Sequence, residues 1–109
     1  VTLVHQFCSL GDYSFTGLNT LITMDVPAFV KVAADPARVI GLNSIGMARN
    51  EIPEESINLL KKSYKVVYKR VLKLEASIKK LEIMHSETDD SFLLTFINSI
   101  KESSRGILR

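Results

Sequence analysis

Residues 4–27 repeat every six positions, and few folds can accept that period. Cut from Val4, the stretch reads VHQFCS, LGDYSF, TGLNTL, ITMDVP, so Val4, Leu10, Thr16 and Ile22 open the hexads, while Cys8, Ser14, Thr20 and Val26 take the fifth places. Neither the two-residue period of a half-buried strand nor the 3.6-residue period of a helix fits this pattern. A repeat architecture does: each hexad forms a short flat strand and a tight turn, with its first and fifth side chains turned inward. Gly11 and Gly17 follow the opening residue of their hexads, where a Cβ would crowd the next coil or where φ is positive. Three such strands close a triangular coil, so this stretch makes about one and a third coils. Each coil buries its inner face only by stacking on neighbours, and roughly three repeats are the minimum for stability. The rhythm therefore predicts further coils upstream of residue 4 and an end to the solenoid at Pro27. The missing initiator Met predicts likewise a processed or truncated piece.

The second half changes period. Ile57, Leu60, Tyr64, Val67, Tyr68 and Val71 recur at three and four, as do Leu74, Ile78 and Leu81, and then Leu93, Phe96, Ile97 and Ile100. These spacings predict three amphipathic helices near 53–70, 73–84 and 90–103. Pro53 suits a first helical position, with Glu54 and Glu55 at the positive end of the dipole, although Ile52 is a poor cap. Asp89 or Asp90 can cap the last helix, whose run ends near Ser103, Ser104 and Gly106.

The chain has 109 residues, 46% apolar and 24% charged, which fits one folded, water-soluble unit and excludes intrinsic disorder. No run approaches the roughly 20 apolar residues of a membrane-spanning helix, and no secretory signal pattern is present. A single cysteine, Cys8, offers neither an intrachain disulfide nor a metal cluster; it reads as a small buried residue in a reducing, cytoplasmic setting. The net charge of +2 is too small to argue for nucleic acid. Charge is concentrated, however: Lys61, Lys62, Lys65, Lys69, Arg70, Lys73, Lys79 and Lys80 share a window with one acid, Glu75. A solvated helix face is the plain reading, and a docking face for an acidic partner is the functional one.

The hexads resemble the left-handed parallel β-helix of the hexapeptide acyltransferases, and DVPAFVKVAADPARVIG (residues 25–41) is similar to the exit segment of that superfamily. A narrower match comes from HQF (residues 5–7), GLN (residues 41–43), Gly46, Arg49, SYKVVYK (residues 63–69) and SSRGILR (residues 103–109). In that order they resemble the C-terminal part of the acyl-carrier-protein:UDP-N-acetylglucosamine O-acyltransferases that begin lipid A synthesis.

That resemblance implies a β-helix plus α fold: the last coils of a left-handed parallel β-helix with its exit segment over residues 1–40, then an α-helical domain over residues 41–109. It further implies a cytoplasmic homotrimer whose partners are acyl carrier protein and UDP-N-acetylglucosamine, with no cofactor, metal or nucleic acid. The implied reaction moves an (R)-3-hydroxyacyl group from the carrier thioester to the sugar 3-hydroxyl. A sugar hydroxyl is a poor nucleophile, so a positioned base must take its proton while N–H donors stabilise the oxyanion. In the family a histidine is that base. Neither His5 nor His85 matches its position, so no catalytic residue is expected in this chain, and the chain alone is expected to be inactive.

Binding residues remain. His5 and Gln6 match positions lining the substrate cleft near the sugar and diphosphate, and their alternative is a coil-surface pair without a ligand. Asn43 matches a nucleotide-side position and equally suits the N-cap of a short helix over 44–48; both roles can coexist. Arg49 matches an arginine that meets phosphate, a task for a planar fork of donors. The run departs from the strongly basic family pattern, since Ala48 and Asn50 flank Arg49 and Ile45 stands where an acid is common. Phe15 and Leu18 match the floor of the acyl groove, where bulk shortens the space at about 0.8 kcal/mol per excluded methylene; the alternative is plain packing between coils.

Lys61, Lys65 and Lys69 make an i, i+4 stripe suited to speeding encounter with an acidic carrier protein. Nucleic acid has the same sign, but no zinc spacing, helix-turn-helix signature or aromatic interleaving supports it. Tyr64 and Tyr68 share a face with Leu60 and Val71 and read as core or subunit contact. Two rival readings stand beside the enzyme: a non-catalytic module that trimerises or binds carrier protein, and a hexapeptide acyltransferase with another acceptor sugar. The helical tail and SSRGILR, which are not superfamily-wide, weigh against the latter.

Overall fold

The structure is a computed structural model that describes residues 3–4, 10–17, 20–34, 37–69, 73–103 and 106–109. Among these residues, five strands come first: β1 (Leu3–Val4), β2 (Phe15–Thr16), β3 (Leu21–Ile22), β4 (Val30–Ala33) and β5 (Arg38–Leu42). Four helices complete the order: α1 (Ser44–Arg49), α2 (Glu54–Tyr68), α3 (Leu74–Thr88) and α4 (Ser91–Lys101).

The hexad rhythm appears as parallel pairing at long offsets. β1 pairs with β3 in parallel, Leu3 with Leu21 and Val4 with Ile22, an offset of 18 residues or three hexads. β2 pairs in parallel with β4, Phe15 with Lys31 and Thr16 with Val32, and a parallel bridge joins Leu10 to Val26. Both of those offsets are 16 residues, so the chain has taken a shorter path by two. The parallel stacking therefore runs past Pro27 to Val32, further than the sequence pattern predicts. It stops where β5 returns antiparallel on β4.

Inward orientation holds for Thr20, Ile22 and Val26, which are buried, but not for Val4 and Leu10, which are 43% and 45% exposed. Each exposed residue pairs with a buried one a coil further along. No described residue stacks on the other side of Val4 and Leu10, whereas the downstream strands are covered by later segments of the chain. Gly11 shows how tight the stacking is: a Cβ there would lie 2.3 Å from the Ala28 nitrogen.

α2, α3 and α4 pack on one another around Leu60, Val66, Val67, Leu81, Leu93, Phe96, Ile97 and Ile100. This core is continuous with Ile22, Val26, Phe29, Val30 and Val32, so strands and helices share it. The three long helices lie where their periodicity predicts, with shifted ends. α2 starts at Glu54 with Pro53 one place outside it, because the extended ψ of 143° at Pro53 makes it the cap. α3 continues four residues beyond the predicted end and stops at Asp89, whose φ of 52° is left-handed. Asp90 caps α4, its Oδ1 accepting from the Phe92 and Leu93 N–H groups.

The terminal segment turns back onto the first half. Asp25 N–H donates to Gly106 O and Leu108 N–H to Asp25 O, a parallel bridge between Asp25 and Ile107. Ser103 Oγ donates to the buried Asp25 carboxylate at 2.5 Å, and Tyr68 Oη donates to Leu108 O at 2.8 Å. The last residues thus clamp coil to helices.

Candidate substrate cleft

β2, β4 and α1 enclose a cleft of about 500 Å³ lined by Phe15, Lys31, Asn43, Ile45, Gly46, Arg49 and Asn50. Three residues singled out from the sequence, Phe15, Asn43 and Arg49, meet here although they come from separate stretches. His5, Gln6 and Leu18 lie outside the described residues. Lys61 and Lys65 of α2 and its C-cap Lys69 are exposed and are not among the residues lining this cleft.

Asn43 is the hinge of the arrangement. Its Oδ1 accepts from Gly46 N–H at 3.1 Å, which starts α1, and its Nδ2 donates to Tyr13 O at 2.9 Å. Its backbone N–H donates to Phe29 O. One side chain thus caps a helix and ties down a corner from an earlier coil, so its capping role is realised and one amide hydrogen remains for a ligand. The corner it holds is unusual. Tyr13 and Phe29 both have left-handed φ, 60° and 66°, uncommon for bulky residues, and their rings stack 5.1 Å apart at 9°. Phe92 of α4 meets both rings edge-on. Neither left-handed position is a glycine, which is why the corner is invisible in the sequence.

Gly46 allows the cap: a Cβ on it would lie 2.1 Å from Asn43 Nδ2. α1 has no acid in its first turn and places Arg49 in its last, exposed at the cleft. Asn50 closes the helix by donating from Nδ2 to Gly46 O at 2.7 Å. Ile45 is 65% exposed and presents an alkyl wall to the cleft.

The cleft holds a cation that the sequence pattern does not mark. Lys31, in register with Phe15, places Nζ 5.6 Å from the Phe15 ring centroid, a cation–π contact worth about 0.5–1 kcal/mol at an exposed site. Its only sequence signal is position, one coil after Phe15. Among the described residues, the lining includes two cations and no carboxylate. The cleft is therefore chemically suited to an anionic group beside an apolar one.

Elsewhere, Tyr64 and Tyr68 pack ring on ring at 4.8 Å, beside Arg38, Lys69 and Arg109 around a smaller hollow of about 400 Å³. Burial raises the Tyr68 phenol well above its ordinary range, helped by Tyr64, while Arg109 opposes the shift; burial also raises Tyr64. His85 sits on α3, its Nε2 3.9 Å from Asp89, away from the cleft. Among the described residues no group of three or more His, Cys, Asp or Glu could hold a metal ion, and no helix is long and apolar enough to cross a membrane.

The family model described as UDP N-acetylglucosamine O-acyltransferase, domain 2, matches residues 25–108. The acyl-[acyl-carrier-protein]–UDP-N-acetylglucosamine O-acyltransferase of Pseudomonas putida (strain W619) is 42% identical over 111 residues, covering 99% of this chain and 41% of that protein. The protein of the same name from Stutzerimonas stutzeri (strain A1501) is 42% identical over 108 residues with the same coverage. The chain thus spans about two-fifths, 41%, of the length of these relatives. Among solved structures, the UDP-N-acetylglucosamine O-acyltransferase of Moraxella catarrhalis RH4 superposes with a TM-score of 0.92 at 33% identity, covering 99% of this chain and 41% of that one. LpxA from Acinetobacter baumannii gives a TM-score of 0.92 at 32% identity, covering 99% of this chain and 42% of that one.

Proposed function

Because the chain belongs to the UDP N-acetylglucosamine O-acyltransferase domain 2 family, we propose that it is the C-terminal part of an enzyme that transfers an (R)-3-hydroxyacyl group from acyl carrier protein to the 3-hydroxyl of UDP-N-acetylglucosamine. The observation that carries this reading is the meeting of Phe15, Asn43 and Arg49 in one cleft that offers cations, an amide and an aromatic wall. Parallel pairing three hexads apart supports a β-helix as the setting, and family membership is what supports a left-handed coil and a cytoplasmic homotrimer as its working form.

In this reaction the sugar oxygen attacks the thioester carbonyl, its proton passes to a base, and the carrier thiol leaves. Arg49 holds phosphate oxygens through its guanidinium, and Asn43 donates its remaining amide hydrogen toward the nucleotide. His5 and Gln6 line the sugar side, while Phe15 and Leu18 floor the acyl groove. Lys61, Lys65 and Lys69 attract the acidic carrier. The base comes from a preceding coil.

The natural full-length protein carrying this chain, given (R)-3-hydroxyacyl carrier protein and UDP-N-acetylglucosamine, is expected to form the 3-O-acylated sugar nucleotide by mass spectrometry. The isolated 109-residue chain is expected to form none. Absence of product from the full protein, or transfer to a different acceptor in preference, overturns the assignment.

A further inference from the structure

The structure assigns Lys31 a binding role in the cleft: its ammonium and the Arg49 guanidinium together take up the diphosphate of the bound nucleotide, so that Lys31 is a substrate-positioning residue. This rests on the nucleotide reading above for the identity of the ligand, but the anion grip stands on the cleft's own geometry.

Among the described residues, Lys31 and Arg49 are the two cations lining the cleft, and no carboxylate lines it with them. Among the described residues neither is part of an ion pair, since the two pairs formed there are His85–Asp89 and Lys101–Glu82. Two unneutralised cations in one concavity raise the local concentration of anions and favour a multiply charged one. A diphosphate has oxygens on two phosphorus atoms and can take a point charge at one and a planar fork at the other.

The position of Lys31 is built. Its backbone pairs with Phe15 on one side and with Gly41 on the other, so it stands in the middle strand of the three-stranded sheet. The β4–β5 ladder shifts register between Lys31 and Val32, leaving Ile40 as the extra residue. Such a bulge bends the strand that carries it, here β5, and increases the local twist beside Lys31. The Phe15 ring, 5.6 Å from Nζ, gives the ammonium a resting place that costs it little when a phosphate arrives. Helix α1 carries Arg49 with Ala48 and Asn50 on either side, so α1 itself offers no second cation to the anion and β4 does. Asn43 and Asn50 have already committed amide groups to α1, which leaves the charged pair as the principal grip.

The test uses the full-length natural protein and two probes, inorganic diphosphate and UDP-N-acetylglucosamine, by calorimetry at low and at moderate salt. Lys31→Met is expected to weaken diphosphate binding on the order of tenfold and to flatten its salt dependence, while Lys31→Arg keeps most of it. KM for the sugar nucleotide is expected to rise with kcat little changed, which marks binding rather than chemistry. Circular dichroism of the Met variant checks that the fold is retained; if it is not, Lys31→Gln serves as the uncharged variant. Equal diphosphate affinity in wild type and a folded uncharged variant overturns the proposal while leaving the acyltransferase reading standing. Diphosphate binding that depends on Lys31 without any binding of the sugar nucleotide keeps the anion grip and removes that reading instead.

Discussion

One carboxylate joins the starts of two helices: Asp90 accepts the Ser56 hydroxyl on Oδ2 at 2.6 Å while its Oδ1 caps α4 through the Phe92 and Leu93 N–H groups. Ser56 is 5% exposed and sits in the first turn of α2, so the bond fixes how α2 and α4 approach each other. Asp90→Ala removes a cap worth about 1 kcal/mol and strands a buried hydroxyl at a cost of about 1–3 kcal/mol, for a loss of roughly 2–4 kcal/mol in chemical denaturation. In a double-mutant cycle with Ser56→Ala, a coupling of about 1 kcal/mol is expected; additivity would show that the hydroxyl bond contributes nothing.

Gly11 and Gly41 give a paired test of the stacked strands. A Cβ at Gly11 would lie 2.3 Å from Ala28 N and 2.6 Å from both Ala28 Cα and Pro27 C, backbone atoms that cannot step aside. Gly11→Ala is expected to cost more than about 3 kcal/mol or to abolish folding. At Gly41 an added Cβ meets nothing within 4 Å, so Gly41→Ala is expected to be neutral or to stabilise by up to about 1 kcal/mol. Comparable losses at both sites in thermal melts would contradict the pairing of residues 10–17 against 26–32.

Phe15 is 48% exposed on the cleft wall, so trimming it opens space without hollowing the core. With the full-length protein, Phe15→Ala is expected to shift donor preference toward longer acyl chains, by about 0.8 kcal/mol or roughly fourfold for each added methylene that finds cover. Competition between carrier-protein thioesters of different length measures it. An unchanged preference would move the groove floor away from Phe15.

The Tyr68 phenol makes a pH prediction. Its pKa in the folded chain is raised by burial above the ordinary value near 10, so the folded state keeps a proton that the unfolded state releases. Stability is thus fully present below about pH 10 and declines as pH rises from there toward the folded value, by at most about 1.4 kcal/mol per pH unit from this group. Tyr68→Phe loses the bond to Leu108 O, about 1 kcal/mol at neutral pH, and is expected to show a shallower alkaline decline. Parallel declines in wild type and variant between about pH 10 and 11 would remove Tyr68 as the cause.

The cleft was partly legible in the sequence. Asn43 and Arg49 lie in the stretches that carry the family resemblance and Phe15 was singled out by its place in the hexads, while the capping role of Asn43 is signalled by an amide just before a short helical run. Lys31 was not legible, because its meaning depends on a partner 16 residues away. Two residues of difference from a three-hexad coil decide that it faces Phe15 rather than another side chain.

The sequence by itself determined what is local: three helices from their apolar spacing, a cap at Asp89 or Asp90 before α4, and a six-residue rhythm that pairs β1 with β3 in parallel at a three-hexad offset. Those features depend on neighbours within a turn or on a repeat, and both are written in spacing. Tertiary structure alone decided that Val4 and Leu10 are open while Ile22 and Val26 are buried, and that Tyr13 and Phe29 share a left-handed corner. It also decided that Asp25 and Ile107, 82 positions apart, form one bridge. These rest on closure of distant segments, where burial and backbone pairing outweigh local preference, and no spacing along the chain records which segments will meet.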